Sequence, residues 1–135
     1  MQKQFLNIAR YAEESADLAT IYIAVVCNYA LAIELYLKSL DTNVLPKTSE
    51  IKSNARGHDL EKLFLSLPPS DQTKLADKFY TLEGQELKVL LVTCKDYFVK
   101  SRYAHEPQSK IPYQISQIRS LADGIDKSVE NWNVE

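Results

Sequence analysis

The sequence has 135 residues, a length typical of one domain that buries its own core without disulfides or a structural metal. Its formal net charge is −2 and its pI is near 5.7, which excludes a protein that binds nucleic acid through an overall positive charge. Any such binding must rest on a local basic patch. Glycine is scarce, with three residues, and apolar stretches are long, so the composition favours an all-α domain.

The first forty residues contain neither glycine nor proline and predict two helices. Apolar residues within 5–16 share one helical face, whereas residues 20–40 are apolar on nearly all sides. One helix of this whole length would be unusual in a compact domain, so we expect a break within residues 15–20. The apolar run 18–33 falls short of the roughly 18–20 apolar residues of a membrane-spanning helix and predicts a buried central helix.

The start of the chain and its two cysteines indicate a cytoplasmic protein. MQKQFLNIAR lacks the apolar core of a secretory signal. Cys27 and Cys94 each lie among apolar residues at a spacing that matches no metal motif. We expect both to be reduced, small buried hydrophobes.

The middle of the chain predicts one loop and two short helices. Residues 41–58 are rich in Asn, Ser, Thr and Lys and predict a long, locally basic loop. The next helix is expected to begin after Asp59 as its N-cap and to end at the two prolines at 68–69. Another helix is expected to run from Ser70, as its N-cap, to Gly84.

Residues 85–105 predict a single helix that Pro107 ends. Side chains at steps of three and four residues form one stripe along it: Leu87, Leu91, Cys94, Phe98, Arg102 and His105. Because Arg102 and His105 extend an apolar line, we expect them to face the interior or an interface.

The last helix is expected to start at Pro112 and to carry a regular apolar seam. The seam consists of Ile115, Ile118, Ala122, Ile125, Val129 and Trp132. Such spacing suits packing against another helix or another subunit, and its regularity favours a homodimer.

Arg102 and His105 are the candidate catalytic residues. Residues three apart on a helix are neighbours, so both side chains can reach one small group. Histidine transfers protons near neutral pH, and arginine offers a fork of donors to a phosphate. RNA cleavage with the 2′-hydroxyl as nucleophile needs these two functions and no metal. The alternative is a structural helix end, with His105 as its terminal cation and Arg102 in an ion pair.

Glu34, Arg56 and His58 are candidate binding residues. Glu34 interrupts the apolar stretch YALAIELYLK, so we expect it to be paired, with Lys38 along the helix or with Arg102 across the core. A pair of Glu34 with Arg102 would either hold two helices together or position Arg102 to bind a phosphate. Arg56 and His58 precede a helix N-terminus, which can bind an anion, although His58 could also be part of the cap.

Other chemistries lack support in the sequence. The two histidines cannot form the Glu-x-x-His pairs of a di-iron bundle. No glycine-rich phosphate loop, G-x-S-x-G or H-E-x-x-H occurs. We therefore expect neither a metal nor a cofactor.

Three segments, YALAIELYLKSL, GHDLEKLF and F…SRYAHE, together resemble the HEPN domain family over residues 5–125. The resemblance implies a single domain over residues 1–135, a bundle of about five to six helices that is typically dimeric. Such domains are found in toxin–antitoxin and defence systems and beside nucleotidyltransferases. Ribonuclease members carry an arginine and a histidine separated by four to six residues, whereas Arg102 and His105 have two residues between them.

Several functions remain open at this point. The first is a HEPN-like domain that handles RNA or nucleotides, with a degenerate or lost ribonuclease site. Its expected binding residues are Glu34, Arg56, His58, Lys100 and Tyr103. The second is an active, metal-independent endoribonuclease that uses Arg102 and His105 in one concave site near a dimer interface. The third is a module for protein interaction or dimerisation. The expected partners are a second copy, RNA or a nucleotide, and a cognate antitoxin or nucleotidyltransferase, with no membrane.

Overall fold

In the computed structural model, the long helix α2 is the central element of an all-α bundle, as the composition predicts. The structure describes residues 2–14, 18–40, 42–45, 50–53, 57–102, 115–130 and 132. In chain order the elements are α1 (Gln2–Glu13), α2 (Leu18–Leu40), β1 (Thr42–Leu45), β2 (Glu50–Ser53), α3 (Leu60–Leu65), α4 (Pro69–Glu83), α5 (Leu87–Cys94), α6 (Tyr97–Arg102) and α7 (Ile115–Val129). Helix α2 packs against α1, α3, α6 and α7, and α7 also packs against α4 and α5.

The first forty residues form two helices, which confirms the predicted break. Helix α1 ends at Glu13 and α2 begins at Leu18. Because α2 has neighbours on several sides, its side chains are buried around most of its circumference, including Val25, Tyr29 and Ile33. By length and composition alone, Ile23–Leu40 could cross a membrane, but half of this segment is buried inside the bundle. A core helix passes the same test, so the membrane signal is weak.

The prediction of a loop over residues 41–58 is wrong for its first part. Strands β1 and β2 pair antiparallel, with Val44 opposite Ile51 and Thr42 opposite Ser53. Thr42, Val44 and Ile51 are β-branched, and such side chains favour extended backbone. Each strand is short, so only a few residues show the alternation of side chains that is typical of a strand, and the polar composition of the segment hid it.

Helices α3 and α4 lie close to their predicted bounds. The Asp59 side chain accepts a hydrogen bond from the Lys62 amide at 3.1 Å, which confirms it as the N-cap of α3. Helix α4 ends at Glu83, and its C-cap Gly84 has a left-handed φ of 69°. The prediction that Ser70 caps α4 is wrong, because the helix begins one residue earlier, at Pro69. A proline at the first helical position needs no amide partner.

Residues 85–105 do not form the single predicted helix, because α5 and α6 are separated by a turn at residues 95–96. The Lys95 carbonyl accepts a hydrogen bond from the Leu60 amide at 3.1 Å. The first amides of a helix have no acceptor within that helix. The amide of Leu60, at the start of α3, finds its acceptor in this carbonyl of the turn. The stripe stays on the core side, with Leu87, Leu91 and Cys94 buried. His105 lies outside the described residues.

The apolar seam of α7 is used within one protomer. Ile118, Ala122 and Ile125 are fully buried against the rest of the bundle, and Ile115, Val129 and Trp132 pack at the edge of the core. Gly124 allows close approach to α4, because a Cβ there would overlap the Phe79 ring. Helices α2, α4 and α5 of the same chain thus cover this seam, so the seam does not itself support a homodimer, which stays a prediction. Pro112 lies outside the described residues.

Candidate functional site

Glu34 is a buried carboxylate on the central helix. It is 3% exposed, although the apolar residues around it in sequence would normally exclude a charge. The Lys38 ammonium lies 3.3 Å from its Oε2 atom, which confirms the predicted pairing along α2. One face of α2 thus contains a buried carboxylate whose charged partner, Lys38, is partly exposed.

His58 is the second partner of Glu34. Its Nδ1 atom lies 2.6 Å from Oε1 of the carboxylate, a short hydrogen-bond distance. Gly57 just before it has a φ of 89°, a left-handed conformation that glycine adopts without strain, and the chain turns there. The imidazole also packs against the Phe98 ring of α6, with ring centroids 4.8 Å apart. Three separate segments therefore meet at this imidazole.

The surroundings of His58 differ from those of a fully buried structural histidine. Its side chain is 39% exposed, so solvent and small ligands can reach the ring. A carboxylate accepts hydrogen bonds, and it therefore favours a proton on Nδ1. In the part of the chain that the structure describes, no residue forms a hydrogen bond with Nε2. We call this arrangement of Glu34, Lys38, His58 and Phe98 the Glu34–His58 site.

The prediction that His58 and Glu34 both belong to a site is consistent with their direct contact, but the contact itself was not predicted. Asp59 is the N-cap of α3, and His58, which immediately precedes it, makes its side-chain contact with Glu34. No periodicity relates residue 58 to residue 34. The one available signal was that a carboxylate buried in an apolar helix needs more than one polar partner.

The other predicted site residues are described partly or not at all. Arg102 ends α6, one helical turn after Phe98, but its side chain and that of Lys100 are outside the described atoms. Arg56, Tyr103 and His105 lie outside the described residues altogether. The pairing of Glu34 with Arg102, and the shared concave site of Arg102 and His105, therefore remain predictions.

A second polar cluster lies where α1, α2 and α7 meet, beside a groove of about 510 Å³. We call it the α1–α2–α7 network; its members are Lys3, Arg10, Glu13, Tyr29, Tyr36, Arg119, Asp123 and Asp126. Arg10 donates to Asp123 at 2.7 Å and lies 3.5 Å from Asp126. The Tyr36 hydroxyl donates to Asp126, which also accepts from Lys3 at 2.9 Å.

The tyrosines and carboxylates of this network shift one another's pKa values. Burial, together with the carboxylate of Asp126, raises the pKa of Tyr36, and burial with Glu13 raises the pKa of Tyr29. Burial alone would raise the pKa of Asp126, but hydrogen bonds from Tyr36 and Lys3 hold it below the ordinary value of 3.8. Each group thus stabilises its partner in one protonation state, as expected of a structural network.

The cysteines are free thiols, of which Cys94 is fully buried and Cys27 partly buried. Burial raises the pKa of Cys94 to about 12, so this thiol is not poised as a nucleophile. Among the described residues, no group of three or more His, Cys, Asp or Glu side chains could hold a metal ion.

Comparison with other proteins adds no relative to this picture. The chain matches no protein-family model, no curated protein and no solved structure. The functional argument therefore rests on the Glu34–His58 site and on the sequence.

Proposed function

We propose that the chain is a HEPN-like domain that binds RNA or nucleotides through phosphate at the Glu34–His58 site and has lost ribonuclease activity. The observation that carries the proposal is the 2.6 Å contact between a buried carboxylate and an imidazole that solvent can reach. A buried carboxylate is costly to a fold unless it is paired, and here its partner is a ring that a ligand can reach from solvent.

The position of α6 supports including the predicted basic residues in this site. Helix α6 packs against α2, and Phe98 in its first turn touches the His58 ring. Arg102 ends the same helix, and Arg56 precedes His58 by two residues. On this proposal Arg56, Lys100, Arg102 and Tyr103 supply the positive charge and the aromatic surface for a phosphate-bearing ligand.

The proposal is tested by fluorescence anisotropy with a labelled single-stranded RNA and by competition with AMP. We expect saturable RNA binding that weakens steeply with added salt, because phosphate contacts release counterions. Incubation with mixed cellular RNA in chelator should leave the RNA intact. Absence of binding to both ligands at low salt would contradict the proposal.

A second candidate is an active, metal-independent endoribonuclease with Arg102 on the phosphate and His105 as acid or base. Arg102 ends α6, the helix whose Phe98 contacts the His58 imidazole, which supports a place for Arg102 beside this site. In this case wild type should cleave RNA without metal, and Arg102→Ala and His105→Ala should each abolish cleavage. Intact RNA after incubation with wild type would reject this candidate.

The proposal also places the chain in the cytoplasm as a homodimer, in a toxin–antitoxin or defence context. The family resemblance supports the dimer, since α7 no longer does. Light scattering at micromolar concentration should give twice the 15.4 kDa chain mass. A monomer that co-purifies with a cognate antitoxin or nucleotidyltransferase, and binds no RNA, would instead favour a protein-interaction module.

A further inference from the structure

The two ring nitrogens of His58 have different surroundings. Nδ1 lies against a carboxylate whose side chain is 4% exposed, whereas Nε2 has no hydrogen-bond partner within the described part of the chain. The ring is 39% exposed overall, so a ligand can approach the nitrogen that Glu34 does not occupy. This asymmetry separates an orienting role from a binding role within one pair.

We infer that His58 contacts the phosphate of the ligand directly through Nε2–H, and that Glu34 is a positioning residue that holds Nδ1–H. This assignment rests on the proposed function, and it names the atom that touches the ligand. A phosphate oxygen only accepts hydrogen bonds, so the ring must donate from Nε2. The same ring must donate from Nδ1 to the carboxylate, and the imidazolium form does both.

Glu34 suits this role because it is buried and cannot easily turn away. The Lys38 ammonium at 3.3 Å limits its freedom further, and the Phe98 ring limits that of the imidazole. Loss of the negative charge would weaken the hydrogen bond that holds the ring through Nδ1. It would also leave a neutral ring free to present a lone pair at Nε2, which repels phosphate oxygens.

The direct test uses nitrogen NMR of the imidazoles in the wild-type protein at constant pH. The chain has two histidines, so His58→Gln assigns the His58 signals without ambiguity. Inorganic phosphate, AMP and a short single-stranded RNA are added in separate titrations, which distinguishes a free phosphate from a nucleotide or an RNA backbone. We expect the His58 Nε2 signal to shift saturably and to reach imidazolium values, while Nδ1 stays protonated.

A matched pair of carboxylate variants isolates the positioning role. Glu34→Gln keeps the shape of the side chain but removes its charge, and we expect RNA affinity to fall about tenfold, as for loss of one charge-assisted hydrogen bond. Glu61→Gln removes a charge from α3, where Glu61 lies 3.9 Å from Lys95, and should change affinity less than about twofold. Thermal melts confirm that both variants are folded.

The possible failures are distinguishable. If RNA binds but the His58 signals do not move, the inference is wrong and the proposed function stands. Equal affinities of Glu34→Gln and Glu61→Gln would likewise reject Glu34 as the positioning residue. If neither RNA, AMP nor phosphate binds, the proposed function fails and the inference fails with it.

Discussion

Helix α2 carries two polar clusters, and they differ in how completely their groups are paired. In the α1–α2–α7 network, Asp126 contacts Lys3, Arg10 and Tyr36, so one carboxylate is surrounded by donors. In the Glu34–His58 site, the carboxylate is more deeply buried, at 4% against 16% exposed, but within the described residues Nε2 of the ring beside it has no hydrogen-bond partner, and the ring is open to solvent. Saturated polar groups hold helices together, whereas an unsaturated group can still bind a ligand. We therefore assign stability to the first cluster, and we propose that the second binds the ligand.

The largest stability effect is expected from Asp126→Ala. Its side chain is 16% exposed, and its removal leaves the buried Tyr36 hydroxyl and two cations without their shared acceptor. We expect a loss of about 2–4 kcal/mol in the free energy of unfolding, measured by urea denaturation. RNA affinity of the folded variant should be unchanged. A variant that keeps its stability but loses RNA binding would reverse the assignment of the two clusters.

Removing the carboxylate of the other cluster should cost less stability. Glu34→Ala leaves His58 and Lys38 without an acceptor, but both side chains are partly exposed and can be solvated. We expect a loss of about 1–3 kcal/mol in the free energy of unfolding, combined with a clear loss of RNA affinity. A larger stability loss than in Asp126→Ala, with RNA binding intact, would make Glu34 a purely structural residue.

The pH dependence of stability should be dominated by the α1–α2–α7 network. The folded pKa of Asp126 is below its ordinary value, so its contribution is present above about pH 4 and is lost as the pH falls through the lowered pKa. The folded pKa of Tyr36 is above its ordinary value of 10.0, so its contribution is complete below that pH and is lost as the pH rises further. Thermal melts across this range should show both losses.

Tyr36→Phe is expected to have the smallest effect on stability, and it tests the loss of stability at alkaline pH separately from the loss at acid pH. It removes one hydroxyl that donates to Asp126 and should cost about 1 kcal/mol near neutral pH. Above pH 10 the difference from wild type should shrink, because the tyrosine of the unfolded wild type then ionises and stabilises the unfolded state, which phenylalanine cannot do. If the difference in the free energy of unfolding between wild type and Tyr36→Phe stays constant above pH 10, ionisation of Tyr36 is not linked to unfolding.

The sequence predicted the helical bundle because long amphipathic or apolar segments and a good N-cap determine most of it. The break between α5 and α6 was missed because the apolar spacing continues through it, and the contact seen there, the hydrogen bond from the Leu60 amide to the Lys95 carbonyl, is a tertiary one. The seam of α7 was found correctly, but periodicity cannot tell whether a partner helix belongs to the same chain. Burial of Glu34 followed from its apolar neighbours, whereas its contact with His58 depends on tertiary packing.

The most direct test of the account measures the affinity of one labelled single-stranded RNA for wild type, His58→Gln and Tyr36→Phe. It asks whether the Glu34–His58 site binds the RNA and the α1–α2–α7 network does not. His58→Gln changes the accessible ring of the Glu34–His58 site, and Tyr36→Phe changes a buried hydroxyl of the α1–α2–α7 network. We predict an affinity about tenfold weaker for His58→Gln and within about twofold of wild type for Tyr36→Phe. Equal affinities of the two variants would contradict the account.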